Sequence, residues 1–188
     1  LSNGERLPLI LDTRTGKPLF GPLSYSLHHL RARGYAANTI KQFCQAASLL
    51  EYFLETSSID IPGRLERGLI LEEAELSNLI RRFHLKADDF EIACSLSPKD
   101  KPSINRPLTL EKVRKLPSKR VQDSVASITL AIRLHYTREY LVSQATTHAL
   151  RQATPQGIRS LLHESSELLK KRIGANMPST ANASDTPP

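Results

Sequence analysis

The stretch Gly34-Tyr-Ala-Ala-Asn38-Thr39-Ile40-Lys41-Gln42-Phe43-Cys44, continuing to Phe53-Leu54, reads as a helix stop, a short turn and a new amphipathic helix. Gly34 supplies a residue that tolerates the left-handed conformation ending many helices. Asn38 can serve as an N-cap, its side-chain oxygen accepting from an otherwise unpaired backbone amide. Over residues 38–55, Ile40, Phe43, Cys44, Ala47, Leu50, Phe53 and Leu54 recur at offsets of three and four and form one apolar stripe, the expected core face. The opposite face carries Thr39, Lys41, Gln42, Gln45 and Ser48, concentrated towards the N-terminal end. That end bears the positive pole of the helix dipole, so it can cradle a phosphate and bring Asn or Gln to an adenine edge in a major groove; on its residues alone the same pattern equally suits an ordinary solvent face.

Working outward, the short apolar runs at residues 7–11 and 18–20 flank Asp12-Thr-Arg-Thr-Gly16, which predicts a small hairpin or extended arm over residues 1–21. A first helix is expected from Pro22 or Leu23 to Arg33, with Leu23, Leu27 and Leu30 on one face. A third helix over residues 71–83 turns Ala74, Leu76, Leu79, Ile80 and Phe83 inward. The acidic first turn of that helix, Glu72, Glu73 and Glu75, suits the dipole and would repel a phosphate backbone, placing it away from any DNA. Residues 84–118 read as an irregular segment punctuated by Pro98, Pro102, Pro107 and Pro117. A fourth helix is expected from Ser118 or Asp123 to about Gln144, and a fifth from Thr154-Pro155 to Gly174. Residues 175–188 have the composition of a flexible tail or interdomain linker. The expected fold class is mainly α, a compact bundle of four to five helices spanning residues 22–174 with the N-terminal hairpin or arm attached.

Charge narrows the function. The formal net charge is +7, and residues 99–138 hold ten basic against three acidic residues, so this segment carries the whole excess. A phosphate-facing surface needs such a concentration, because each neutralised phosphate releases counterions; a solvated basic linker has the same composition. No apolar run approaches the roughly 20 residues that span a bilayer, and the chain opens on Leu1 rather than Met with no basic-then-apolar stretch after it, the expectation for an excised or processed piece without a secretory signal. Cys44 and Cys94 lack metal-type spacing and suit a reduced, cytoplasmic setting. With no Gly-rich phosphate loop and no Gly-x-Ser-x-Gly elbow, neither a cofactor nor a metal is implied.

The entry Asn38-Thr39-Ile40-x-x-Phe43 resembles the second helix of the N-terminal, SAM-like core-binding domain of phage integrases and other tyrosine recombinases. There a Ser-x-x-Thr-[Ile/Leu]-x-x-[Tyr/Phe] entry precedes an aromatic-rich stripe. Pro8 to Asp12 with Thr15 to Pro18, the helix ending at Arg33, and residues 128–141 with Arg133 and Tyr140-Leu141 fall in the order that family uses. The chain departs from the pattern at Ala36, where the family's Ser would stand, and after Ile173, where nothing resembles the catalytic domain. The resemblance implies a non-catalytic, DNA-binding portion of a recombinase encoded by a mobile element. Its partners would be double-stranded DNA and, in the full-length protein, other protomers, and its setting the bacterial cytoplasm and nucleoid. The expected DNA contacts are Asn38, Thr39, Lys41, Gln42, Gln45, Lys119, Arg120, Arg133 and Arg138, with Arg133 the preferred single contact and a surface ion pair with Glu139 as its structural alternative. His148-Ala-Leu-Arg151 has the form of the family's His-x-Leu-Arg box, but the last tyrosine, Tyr140, precedes it, so no catalytic residue is assigned. The competing reading is a helical protein-interaction or assembly module with a solvated basic segment; a helix-turn-helix regulator is weaker, since no short recognition helix follows Gly34.

Overall fold

In the computed structural model, which describes residues 7–12, 15–95, 124–151 and 153–178, seven α-helices form and no strand does. The predicted hairpin reduces to a single antiparallel bridge between Leu11 and Pro18, closed by Asp12 N–H to the Lys17 carbonyl at 2.8 Å and Leu19 N–H to the Ile10 carbonyl at 2.9 Å. Its flanking runs are too short to sustain a ladder. The arm is nevertheless anchored: Leu7 and Ile10 pack on the core, and the Cys44 thiol donates to the Pro8 carbonyl at 3.5 Å.

Helix α1 (Phe20–Tyr25) runs without a break into a π-helical turn at Ser26–Leu30 and a 3-10 turn at Arg31–Arg33. The wide turn adds a residue per revolution and rotates the helix face. The buried set is therefore Pro22, Tyr25, Ser26 and Leu30, while Leu27 of the expected leucine stripe is exposed. Gly34 ends the segment at φ 77°, and Tyr35 N–H returns to the Leu30 carbonyl at 3.1 Å, a Schellman closure.

Helix α2 (Ala37–Thr56) buries all seven residues of its predicted stripe, together with Ala46. The cap differs from expectation: Ala36 is the N-cap, no side chain closes the end, and Asn38 lies within the first turn. Helix α3 (Ile61–Leu65) follows, then α4 (Glu73–Phe83), whose Glu72 and Glu75 form a capping box. Glu75 also receives Arg64 through two hydrogen bonds of 2.5 and 2.7 Å. The start of the segment read as irregular is helical, since α5 (Ala87–Ser95) buries Phe90 and Cys94 and sets the Phe90 ring, tilted, 5.9 Å from that of Phe83. Asp88 and Asp89 in its first turn complement the dipole, and the prolines that suggested irregularity begin only at Pro98. Residues 96–118 of that segment lie outside the described residues.

Helix α6 (Ser127–Ala149) starts and ends later than predicted, and α7 (Gln156–Ala175) is capped by Pro155 rather than begun by it. The Thr154 hydroxyl does not cap α7; it donates to the His148 carbonyl at 2.8 Å and ties the α6–α7 turn. Of the expected tail 175–188, Ala175 is helical and residues 179–188 lie outside the described residues.

Helices α2 and α6 form the centre, with α7 and α4 against α6 and α5 against α2. Phe43 is their pivot, with Tyr25 at 4.8 Å, Tyr140 at 5.8 Å and Tyr136 at 6.0 Å between ring centres. Helix α7 is joined to the α3–α4 region by Ser165, which accepts from the Ile70 N–H at 3.1 Å, and by an Arg172–Glu73 ion pair. Gly68 lies between these elements at φ 79°, and a Cβ there would run into the Leu161 side chain. Gly68→Ala is expected to cost about 2–4 kcal/mol through backbone strain and overpacking, read as a lower urea midpoint at unchanged m-value.

Candidate nucleic-acid interface

The first three turns of α2 bring the predicted contact residues to one exposed ridge. Asn38, Lys41 and Gln45 are exposed and Thr39 and Gln42 half-buried; none makes a side-chain hydrogen bond among the described residues. Offsets of three, four and seven align Asn38, Lys41 and Gln45 on a single face. Leu7 and Pro8 of the arm border this ridge with Ala37, Asn38 and Lys41, forming a shallow depression. Because no side chain caps the helix, the Ala37 and Asn38 amides keep their outward hydrogen-bonding capacity, while the Thr39 N–H turns to the Ala36 carbonyl at 3.0 Å. The same residue, Ala36, that breaks the family pattern thus leaves the helix end chemically open to an anion.

Arg33, at the end of the π-to-3-10 segment, lies near enough to Tyr25 to act on its phenol. Burial pushes the Tyr25 phenol up to about 12; Glu139, Tyr35 and Tyr136 add to the rise and Arg33 opposes it. Arg33, Tyr35 and the middle of α6 therefore share one neighbourhood.

The other predicted contacts separate. Arg133 turns inward: its Nη1 donates to the carbonyls of Phe83 and Leu85 at 2.7 and 2.6 Å, and burial holds its guanidinium below the ordinary arginine value. It satisfies carbonyl oxygens left open at the C-terminus of α4. The Glu139 ion pair anticipated for Arg133 belongs instead to Arg138, whose Nε and Nη2 reach Glu139 Oε1 at 3.0 and 2.9 Å. Lys119 and Arg120, with six more of the ten basic residues of the 99–138 segment, lie outside the described residues. Residues 84–85 and 124–125 meet, however: Val125 N–H donates to the His84 carbonyl at 2.8 Å and Leu85 bridges Ser124, a stem that Arg133 clasps through the Leu85 carbonyl.

One polar site was missed in the sequence. The Tyr140 hydroxyl donates to Glu51 Oε1 at 3.2 Å in the α2–α6 contact. Burial raises the Glu51 carboxyl, an effect partly offset by that hydrogen bond, and burial likewise holds the Tyr140 phenol far above its ordinary value. The signal was available: Glu51 follows Ala47 by four residues and precedes Leu54 by three, placing a carboxylate beside the core stripe. An acid whose folded pKa is raised binds more protons folded than unfolded, so stability falls as pH climbs from the unfolded value, about 4.3, through the folded one. Glu51→Gln is therefore expected to raise the urea midpoint at pH 7 and to leave it nearly unchanged near pH 4.

Among the described residues no group of three or more His, Cys, Asp or Glu side chains is placed to hold a metal, and no helix is long and apolar enough to cross a membrane. His148 closes α6 and Arg151 follows it, while the Tyr140 hydroxyl is committed to Glu51, so the His-x-Leu-Arg resemblance coincides with a helix end. Comparison with family models, curated proteins and solved structures finds no match for this chain.

Proposed function

We propose that this chain is a DNA-binding helical module, the N-terminal core-binding portion of an integrase-like tyrosine recombinase. It would position duplex DNA for strand exchange by a catalytic domain beyond this sequence. The observation that carries the reading is the exposed, unpartnered row Asn38, Lys41 and Gln45 on the uncapped N-terminal turns of α2, backed by a fully buried opposite face. That arrangement offers amides and one cation to a phosphate, and two carboxamides to base edges. The basic residues of the 99–120 segment add counterion-releasing charge, and Arg133 acts through the stem. Most such contacts position the duplex, with specificity left to the few groups that reach bases. The recombinase would act in the bacterial cytoplasm on nucleoid DNA, and protomers would assemble on paired sites.

Salt titration of binding to random duplex DNA tests this. Lys41→Ala is expected to reduce the slope of log affinity against log salt by about one, and the Lys119→Ala, Arg120→Ala pair by about two. Slopes unmoved by both would reject these contacts. A helix-docking module is the second reading, favoured by Leu161 and Leu168, which lie seven residues apart on α7 and are 47% and 44% exposed. It would show as concentration-dependent association that strengthens with salt, the opposite trend.

A further inference from the structure

Glu51 brings a carboxylate to the α2–α6 contact with no cation to meet it. The Tyr140 hydroxyl donates to its Oε1 at 3.2 Å, and Oε2 has no partner among the described residues. Two cavities meet at this residue, for Leu19, Glu51, Leu54, Ile61 and Pro62 line both. The larger, about 570 Å³, opens between the N-terminal arm, the C-terminal half of α2 and the start of α3. Its volume falls within the range of small-molecule sites. Glu51 lies about 20 Å along α2 from Asn38, so the cavity is separate from the proposed DNA face.

The walls are mostly apolar: Ile10 and Leu19 from the arm, Leu49 and Leu54 from α2, and Ile59 and Ile61 around the turn into α3. Asp12, Glu55, Asp60 and Glu91 also line the cavity, while no Lys, Arg or His does so among the described residues. Asp12, Glu55 and Glu91 have interactions of their own, and Asp60 is exposed, where solvent screens its charge. These four therefore set the sign of the local potential rather than hold a ligand. Glu51 differs, because burial raises its carboxyl and only the Tyr140 hydrogen bond opposes the rise. A carboxylate withdrawn from water without a counter-ion calls for one, and the apolar walls beside it select a cation that carries an apolar body.

We infer that this cavity binds an apolar primary amine, its ammonium on Glu51 Oε2 and its hydrocarbon chain along Leu19, Leu49, Ile59 and Ile61. Octylamine is the probe, with octanol as the uncharged control. Titrated at pH 7 into the isotopically labelled chain up to ~1 mM, octylamine is expected to shift the backbone amide resonances of Leu19, Leu49, Glu51, Ile59 and Ile61. It should bind about tenfold or more tightly than octanol, the worth of a charge-assisted hydrogen bond. Glu51→Gln, expected above to be more stable than the native chain at pH 7, should stay folded, still take octanol and lose the preference for the amine. Asp60→Asn removes a carboxylate from the same cavity and keeps a residue suited to start α3, so it should leave the preference nearly intact. No shifts at these residues, shifts centred instead on His148 and Arg151, an undiminished preference in Glu51→Gln, or an equal loss in Asp60→Asn would each overturn the assignment.

Discussion

Arg133→Ala is expected to lower stability by about 2–3 kcal/mol, because it leaves two half-buried carbonyls without their charged donor. The oxygens concerned, on Phe83 and Leu85, lie where α4 ends, beside the Leu85–Ser124 bridge. Chemical denaturation would report the loss as a reduced midpoint. Arg133→Lys should recover part of it, since an ammonium keeps the charge but lacks the planar guanidinium fork. At temperatures where the variant stays folded, its salt slope for DNA should match that of the native chain within a few tenths. A full-unit drop in slope with undiminished stability would return Arg133 to the phosphate-binding role that the family resemblance implied.

A larger loss is expected from Phe43→Ala, about 3–5 kcal/mol, through the transfer free energy of a fully buried ring and the cavity left behind. Phe43 is 0% exposed and holds Tyr25 on α1 and both Tyr136 and Tyr140 on α6. A domain with ordinary stability of about 5–15 kcal/mol could lose a large part of it at this one position. Phe43→Leu, which keeps much of the volume, should cost less than half as much. Equal losses for the two substitutions would show that ring geometry rather than buried volume sets the energy. A loss under 1 kcal/mol for Phe43→Ala would contradict the central packing of α2 on α6.

The stripe of α2 was legible because its residues obey one period and one burial rule, and Gly34 announced its own left-handed stop. What failed did so for local reasons. The leucines of the first helix repeat in a way that suits an α-helix, yet the π turn at Ser26–Leu30 rotates Leu27 out and Tyr25 in, a change of pitch that no periodicity scan anticipates. Helix α5 is only nine residues long and was hidden by the prolines that follow it. Asn38 has the chemistry of an N-cap, but the helix is capped two residues earlier, on Ala36, which frees Asn38 for the surface. For the candidate site, the exposed face of α2 could be read from the complement of its core stripe. The fate of Arg133 could not, because its carbonyl partners lie 48 and 50 residues away in sequence. The partner anticipated for it, Glu139, is taken by the adjacent Arg138.

The most direct measurement is the affinity of the unmodified chain for a random-sequence duplex across a range of salt concentrations. DNA binding through several phosphates predicts that log affinity falls linearly with log salt, with a slope near −0.9 for each phosphate neutralised, and that Lys41→Ala makes it shallower by about one unit. A chain that fails to bind duplex even at low salt, or binds with an affinity indifferent to salt, would contradict the account and leave helix docking through α7 as the function to pursue.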